Sequence, residues 1–234
     1  MLTSVVSGGT VIQKFAYELT CQGRVIYTGE STFGYFSAAT MANQVGLDGV
    51  NRSLPALQAE AELRRSAVRL DLRRLQSANP GRPHARLEHG RLNFIDEAIL
   101  LPESGRYGKG LVYASRPVNP RDWFYPFHFY QDPVMPGSLG VEAMLETQKA
   151  FALASGLGAD LRTPRFAAVP ASDPLTWRYR GQITPQHRLM ELEVHVRGTE
   201  QHAGQAVLSG DASLWVDGLR IYEAKNLAVG LQEA

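Results

Sequence analysis

Apolar and polar positions begin to alternate at Val11-Ile12-Gln13-Lys14-Phe15-Ala16-Tyr17-Glu18-Leu19, and Gln22-Gly23 then supplies a turn. Arg24-Val25-Ile26-Tyr27-Thr28-Gly29 returns in β-branched and aromatic residues, which predicts a hairpin over residues 11–36. A short helical patch over residues 38–45 follows and stops at Gly46. Residues 54–75 change character. Ala, Leu, Glu and Arg predominate, with Arg64, Arg65, Arg69, Arg73 and Arg74 clustered, and Leu57, Leu63, Val68, Leu70 and Leu75 form no strict seam. The pattern predicts an amphipathic connector helix with a solvated basic face; the same arginines would also suit an acidic carrier protein. Ser77-Ala78-Asn79-Pro80-Gly81-Arg82-Pro83 then breaks the chain.

From residue 88 onward, strand-like runs appear at 110–115, 175–182, 188–196, 206–216 and 220–229. One convincing helix, over residues 138–157, is preceded by Pro136-Gly137 and closed by Gly156 and Gly158. A long apolar helix beside many antiparallel strands means α+β. The paired-strand pattern of residues 189–196 and of the hairpin at Asp217-Gly218 also matches that of residues 11–36. Residues 1–50 therefore read as the closing strands of a preceding related unit, 51–87 as a linker, and 88–234 as the main domain.

Composition narrows the function. With 234 residues, 44% hydrophobic, 20% charged and a formal charge of +1, nothing points to nucleic acid or a membrane surface. The single cysteine, Cys21, allows no internal disulfide, and no Cys/His group has zinc spacing. No basic region followed by an apolar core opens the chain, and no window is long enough to span a bilayer, so a cytoplasmic location is the expectation.

The chemistry concentrates in one stretch. Residues 123–130, Trp-Phe-Tyr-Pro-Phe-His-Phe-Tyr, hold six aromatics in eight positions and read as an aromatic strand carrying His128. Asp132-Pro133 and Pro136-Gly137 then force turns, so the chain bends and enters the helix within ten residues. Free amides at Gly137, Ser138 and Leu139 would point outward from the helix N-terminus, where negative charge is favoured. A thioester carbonyl held there would have its developing enolate oxygen stabilised. Glu142, in the first turns of a helix apolar on most sides, is expected to be desolvated and kept neutral, and so able to donate a proton. Glu146, one turn on, is expected to pair with Lys149 on an exposed face. One base and one acid beside an oxyanion site suit elimination of water from a 3-hydroxyacyl thioester.

His128-Phe129, Asp132-Pro133-Val134-Met135-Pro136-Gly137, Leu139-Gly140 and Glu142-Ala143-Met144 together resemble the signature of the 3-hydroxydecanoyl-ACP dehydratase type of hot-dog enzyme. The resemblance implies a hot-dog fold, a long central helix wrapped by an antiparallel sheet, with the site between two hot dogs paired as a homodimer or in tandem. It implies His128 as general base, Glu142 as acid, Gly137 as amide donor, and Ser138, Met135 and Phe129 as substrate contacts. No metal or other cofactor is implied; the substrate would ride on the phosphopantetheine arm of acyl carrier protein. Glu142 stands where the decanoyl-type enzymes carry aspartate and the non-isomerising relatives glutamate. Ser138 replaces the cysteine of the bifunctional enzymes. Phe33-Gly34-Tyr35-Phe36-Ser37 and Ala42-Asn43-Gln44-Val45-Gly46 further resemble a dehydratase region of the polyunsaturated fatty acid and polyketide synthases.

Two rivals share the fold, a non-catalytic scaffold and an acyl thioesterase. Gly137-Ser138-Leu139-Gly140 is not a hydrolase elbow, because its serine follows the first glycine directly. His84, His89, His187, His195 and His202 read as surface residues.

Overall fold

The computed structural model describes residues 3–7, 10–77, 85–167, 175–202 and 204–234. The chain divides into two units, Met1–Val45 and Gly46–Ala234.

The first unit is an antiparallel sheet of β1 (Thr3–Ser7), β2 (Thr10–Cys21) and β3 (Arg24–Tyr35), followed by α1 (Ala38–Ala42), which Ser37 caps by accepting from the Thr40 amide. The expected hairpin is present. Gln22 and Gly23, both with positive φ, turn the chain between Cys21 and Arg24. Period-two alternation puts Phe15 and Phe33 edge to face on one side of the sheet and stacks Tyr17 on Tyr27. On the other side Lys14 pairs with Glu30. Val6, Ile26, Tyr27, Phe33 and Tyr35 stay exposed, and no long helix covers the sheet among the described residues of this unit.

The second unit is a hot dog. Its sheet runs β4 (Val68–Arg69), β5 (Glu97–Leu101), β6 (Leu111–Pro117), β9 (Leu189–His202), β10 (Gln205–Val216), β11 (Leu219–Glu233), β7 (Pro164–Ala167), with β8 (Thr176–Tyr179) also pairing β11. Every pairing is antiparallel. The long helix α4 (Gly137–Ala154) packs on β6, β9, β10 and β11. Alternation drives this layer. Met190, Leu192, Val194 and Val196 are buried with Ala143, Met144, Ala150 and Phe151 of the helix. Gln148, though polar, is accommodated, its amide donating to the carbonyls of Leu208 and Leu227.

The connector departs from expectation. Residues 54–75 form no single helix. They run as α2 (Ala56–Ala59), a 3₁₀ turn (Ala61–Arg65), β4 and α3 (Leu72–Gln76). With no continuous apolar seam, the segment is held by Leu57 packed against Leu101, Leu111 and Tyr113 and by polar clasps on the sheet's outer face. Arg220 grips Asp48, Trp215 Nε1 donates to the Ser53 carbonyl at 2.9 Å, and the Ala56 amide donates to Glu193 at 2.5 Å. Gln58 and the Tyr113 hydroxyl both donate to Glu191. Glu191 and Glu193 are buried for this reason. The breaker over residues 77–83 lies, from 78 on, outside the described residues, as does His84.

Candidate functional site

The aromatic run is not a strand. Residues 122–132 fold as consecutive turns, with the amides of Phe127 and His128 donating to the Phe124 carbonyl and those of Phe129 and Asp132 closing a small reciprocal pair. Pro126 has no amide to give a ladder, and local turn bonds take the donors that a strand would need. Phe124 and Tyr125 turn into the core, whereas Phe127 (80% exposed), Phe129 and Tyr130 (86% exposed) stand out around His128.

His128 itself is half-buried and fixed by two bonds to one residue. The Val134 amide donates to the His128 carbonyl at 2.7 Å, and His128 Nδ1 lies 3.0 Å from the Val134 carbonyl. A carbonyl only accepts, so Nδ1 carries the proton in the neutral ring and Nε2 presents the lone pair. Val134 and Met135 are buried, and the Met135 amide donates to Ile183.

Pro136 then opens α4. Gly137 and Ser138 form its first turn, where the backbone amides have no intrahelical acceptor. Ser138 is exposed. A Cβ at Gly137 would sit 3.1 Å from the Trp177 ring, and one at Gly140 only 2.2 Å from that of Tyr222. Trp177, Tyr179 and Tyr222 thus form an aromatic wall beside the helix start, their ring centroids 5.1 to 5.9 Å apart. The sequence reading missed this wall because it comes from β8 and β11, about 40 and 85 residues downstream.

The two helical glutamates exchange the environments expected of them. Glu142 is not sunk in an apolar face; it pairs with Lys149 at 3.1 Å and its side chain is 30% exposed. Glu146 is not on an exposed face; it is fully buried, accepts the Phe94 amide at 2.6 Å, and leaves Oε1 without a partner. Burial pushes the Glu146 carboxyl up to about 8. The desolvation argument made for Glu142 therefore describes Glu146. Lys149 also pairs with Glu88, which arrives from a segment 61 residues away.

His128 and Glu142 share no hydrogen bond or ion pair among the described residues. Of the other histidines, His195 is not a surface residue: it is 13% exposed at its side chain, pairs with Glu193 at 2.6 Å and accepts the Arg106 amide. Among the described residues no three side chains are grouped to hold a metal ion, and no helix is long and apolar enough to cross a membrane.

Comparison with known proteins gives three findings. Residues 87–225 match the family described as FabA-like domain. A polyunsaturated fatty acid synthase polypeptide of Thraustochytrium sp. is 34% identical over 225 residues, 93% of this chain; the chain spans 15% of the length of that relative. The dehydratase heterocomplex ApeI:P of Xenorhabdus doucetiae aligns with 63% of this chain and 86% of its own at 9% identity and a TM-score of 0.40, too slight a likeness to argue from.

Proposed function

The chain belongs to the FabA-like family, and from that premise we propose that it dehydrates (3R)-hydroxyacyl thioesters, carried on acyl carrier protein, to 2-enoyl thioesters. The observation that carries this reading is the bond from His128 Nδ1 to the Val134 carbonyl, which leaves Nε2 as the basic nitrogen. Nε2 takes the C2 proton, and the electron pair moves into the thioester carbonyl. The resulting oxyanion rests on the Gly137 amide at the positive end of α4. As that pair returns, the C3–O bond breaks, and the hydroxyl leaves as water with a proton from Glu142. Met135, Phe129 and Ser138 are the proposed contacts of the acyl chain and its arm.

Because His128 and Glu142 share no bond, each is read as half of a site completed by a second hot dog, whether from a second copy or a tandem neighbour. The exposed Phe127 and Tyr130 support a partner surface there. The uncovered aromatic sheet of the first unit supports reading residues 1–50 as closing strands of an upstream hot dog. The identity to a polyunsaturated fatty acid synthase polypeptide supports a setting in fatty acid or polyketide synthesis.

Turnover of a 3-hydroxyacyl thioester by His128→Ala is the test. Loss of a general base should lower kcat by about 10²–10⁴-fold; unchanged turnover removes His128 from the mechanism. Release of free 3-hydroxy acid in place of the enoyl product would mark a thioesterase.

A further inference from the structure

Four ionisable side chains crowd one face of α4 and the segment laid across it. Lys149 Nζ bonds Glu142 Oε1 at 3.1 Å and Glu88 Oε1 at 2.5 Å. Its ammonium also stands 5.6 Å from the centroid of the Phe166 ring, so it is held from three sides. Glu146 lies on the same face, one turn from both Glu142 and Lys149. The strands packed against α4 present mainly apolar side chains to this core, among them Val112, Leu192 and Leu208, together with the Tyr222 ring near the helix start. The charged groups of the cluster are therefore Glu88, Glu142, Glu146 and Lys149.

Three carboxyls surround one ammonium, and two of their oxygens, Glu88 Oε2 and Glu146 Oε1, are buried without a partner. Glu146 is fully buried, and burial pushes its carboxyl up to about 8, so it keeps a proton at neutral pH. Lys149 is then divided between Glu88 and Glu142 alone. Glu88 anchors it, and Glu142 is what it acts on. Because the bond to Glu142 uses Oε1, Oε2 remains as the oxygen open to a substrate hydroxyl.

We infer that Lys149, anchored by Glu88, is the positioning residue of the acid: it fixes the Glu142 carboxyl by one oxygen and aims the other. This rests on the reading of Glu142 as the proton donor. With one oxygen tied to Lys149 Nζ, the carboxyl does not turn freely, and the oxygen that meets the departing hydroxyl is held in place.

The full chain is assayed for kcat and KM on a 3-hydroxyacyl pantetheine thioester, with melting followed alongside, as Lys149→Met, Lys149→Arg and Glu142→Gln. Lys149→Met is expected to lower kcat about tenfold through misorientation of the acid, with KM held within about twofold. Lys149→Arg should restore most of kcat. The inference is overturned if folded Lys149→Met keeps its kcat. It is equally overturned if any loss tracks the melting temperature and the arginine variant does not rescue it. Glu142→Gln separates the two levels. An inactive Glu142→Gln beside a normal Lys149→Met removes the positioning role alone, whereas an active Glu142→Gln removes the acid and this inference with it.

Discussion

Glu142 and Glu146 lie one turn apart on α4, yet one meets solvent and a lysine while the other meets a backbone amide and no water. The buried one makes stability depend on pH in a defined direction. Its folded value, about 8, is above the ordinary carboxyl value of 4.5. Both states are protonated below the lower value, so the contribution is complete there. As pH rises, the unfolded chain releases the proton first, and stability falls until the folded value is passed. The loss should be on the order of a few kcal/mol between pH 5 and 8, and Glu146→Gln should flatten it; urea unfolding at the two pH values measures both. A Gln variant with an undiminished slope would assign the effect elsewhere. At this scale the sequence was legible where chemistry follows local spacing: the turn-forming residues after His128 and the helix start at Gly137 both lie within one short stretch. It was silent where a partner comes from afar. Whether Lys149 meets Glu142 or Glu146 depends on Glu88, whose approach no periodicity in the helix encodes.

Among the elements, α4 shows how tightly the helix is fitted. A Cβ at Gly140 would overlap the ring of Tyr222, a side chain buried against the helix start. Gly140→Ala gains helix propensity yet should still lower stability by about 1–3 kcal/mol, because a close-packed ring must move. A melting temperature equal to or above that of the parent chain would show that the ring yields freely. The strands β2, β3, β6, β9, β10 and β11 and the helix α4 follow from alternation and from their bounding glycines and prolines. The aromatic run misled because β-propensity outweighed Pro126 in the reading, whereas local turn bonds outweigh it in the fold. The arginine-rich connector misled because its composition suits a helix, but its apolar residues do not share one face: Leu57 packs with Leu101, Leu111 and Tyr113, whereas Leu72 packs in the main core. Short helices tied by side chains take its place.

For the whole molecule, the α+β class was legible from a single apolar helix among antiparallel strands, and the hot-dog arrangement from the resemblance carried by the stretch from His128 to Met144. The clasps of the connector were not, since each joins residues more than 130 positions apart. They have a mechanical meaning. From the Gly46 end the fastenings come in chain order: Asp48 to Arg220, Ser53 to Trp215, Ala56 to Glu193, Gln58 to Glu191. Tension applied at that end loads them one after another, as a peeled strip does, instead of all together. The connector is therefore expected to lengthen in small successive steps at low force while the sheet beneath stays intact. Single-molecule stretching of the chain should record these early steps before the main rupture, and Arg220→Ala should erase the first. One abrupt rupture with no earlier extension would show that the clasps share the load. Such a connector is expected to give by degrees, taking up strain before it reaches the helix that carries Glu142.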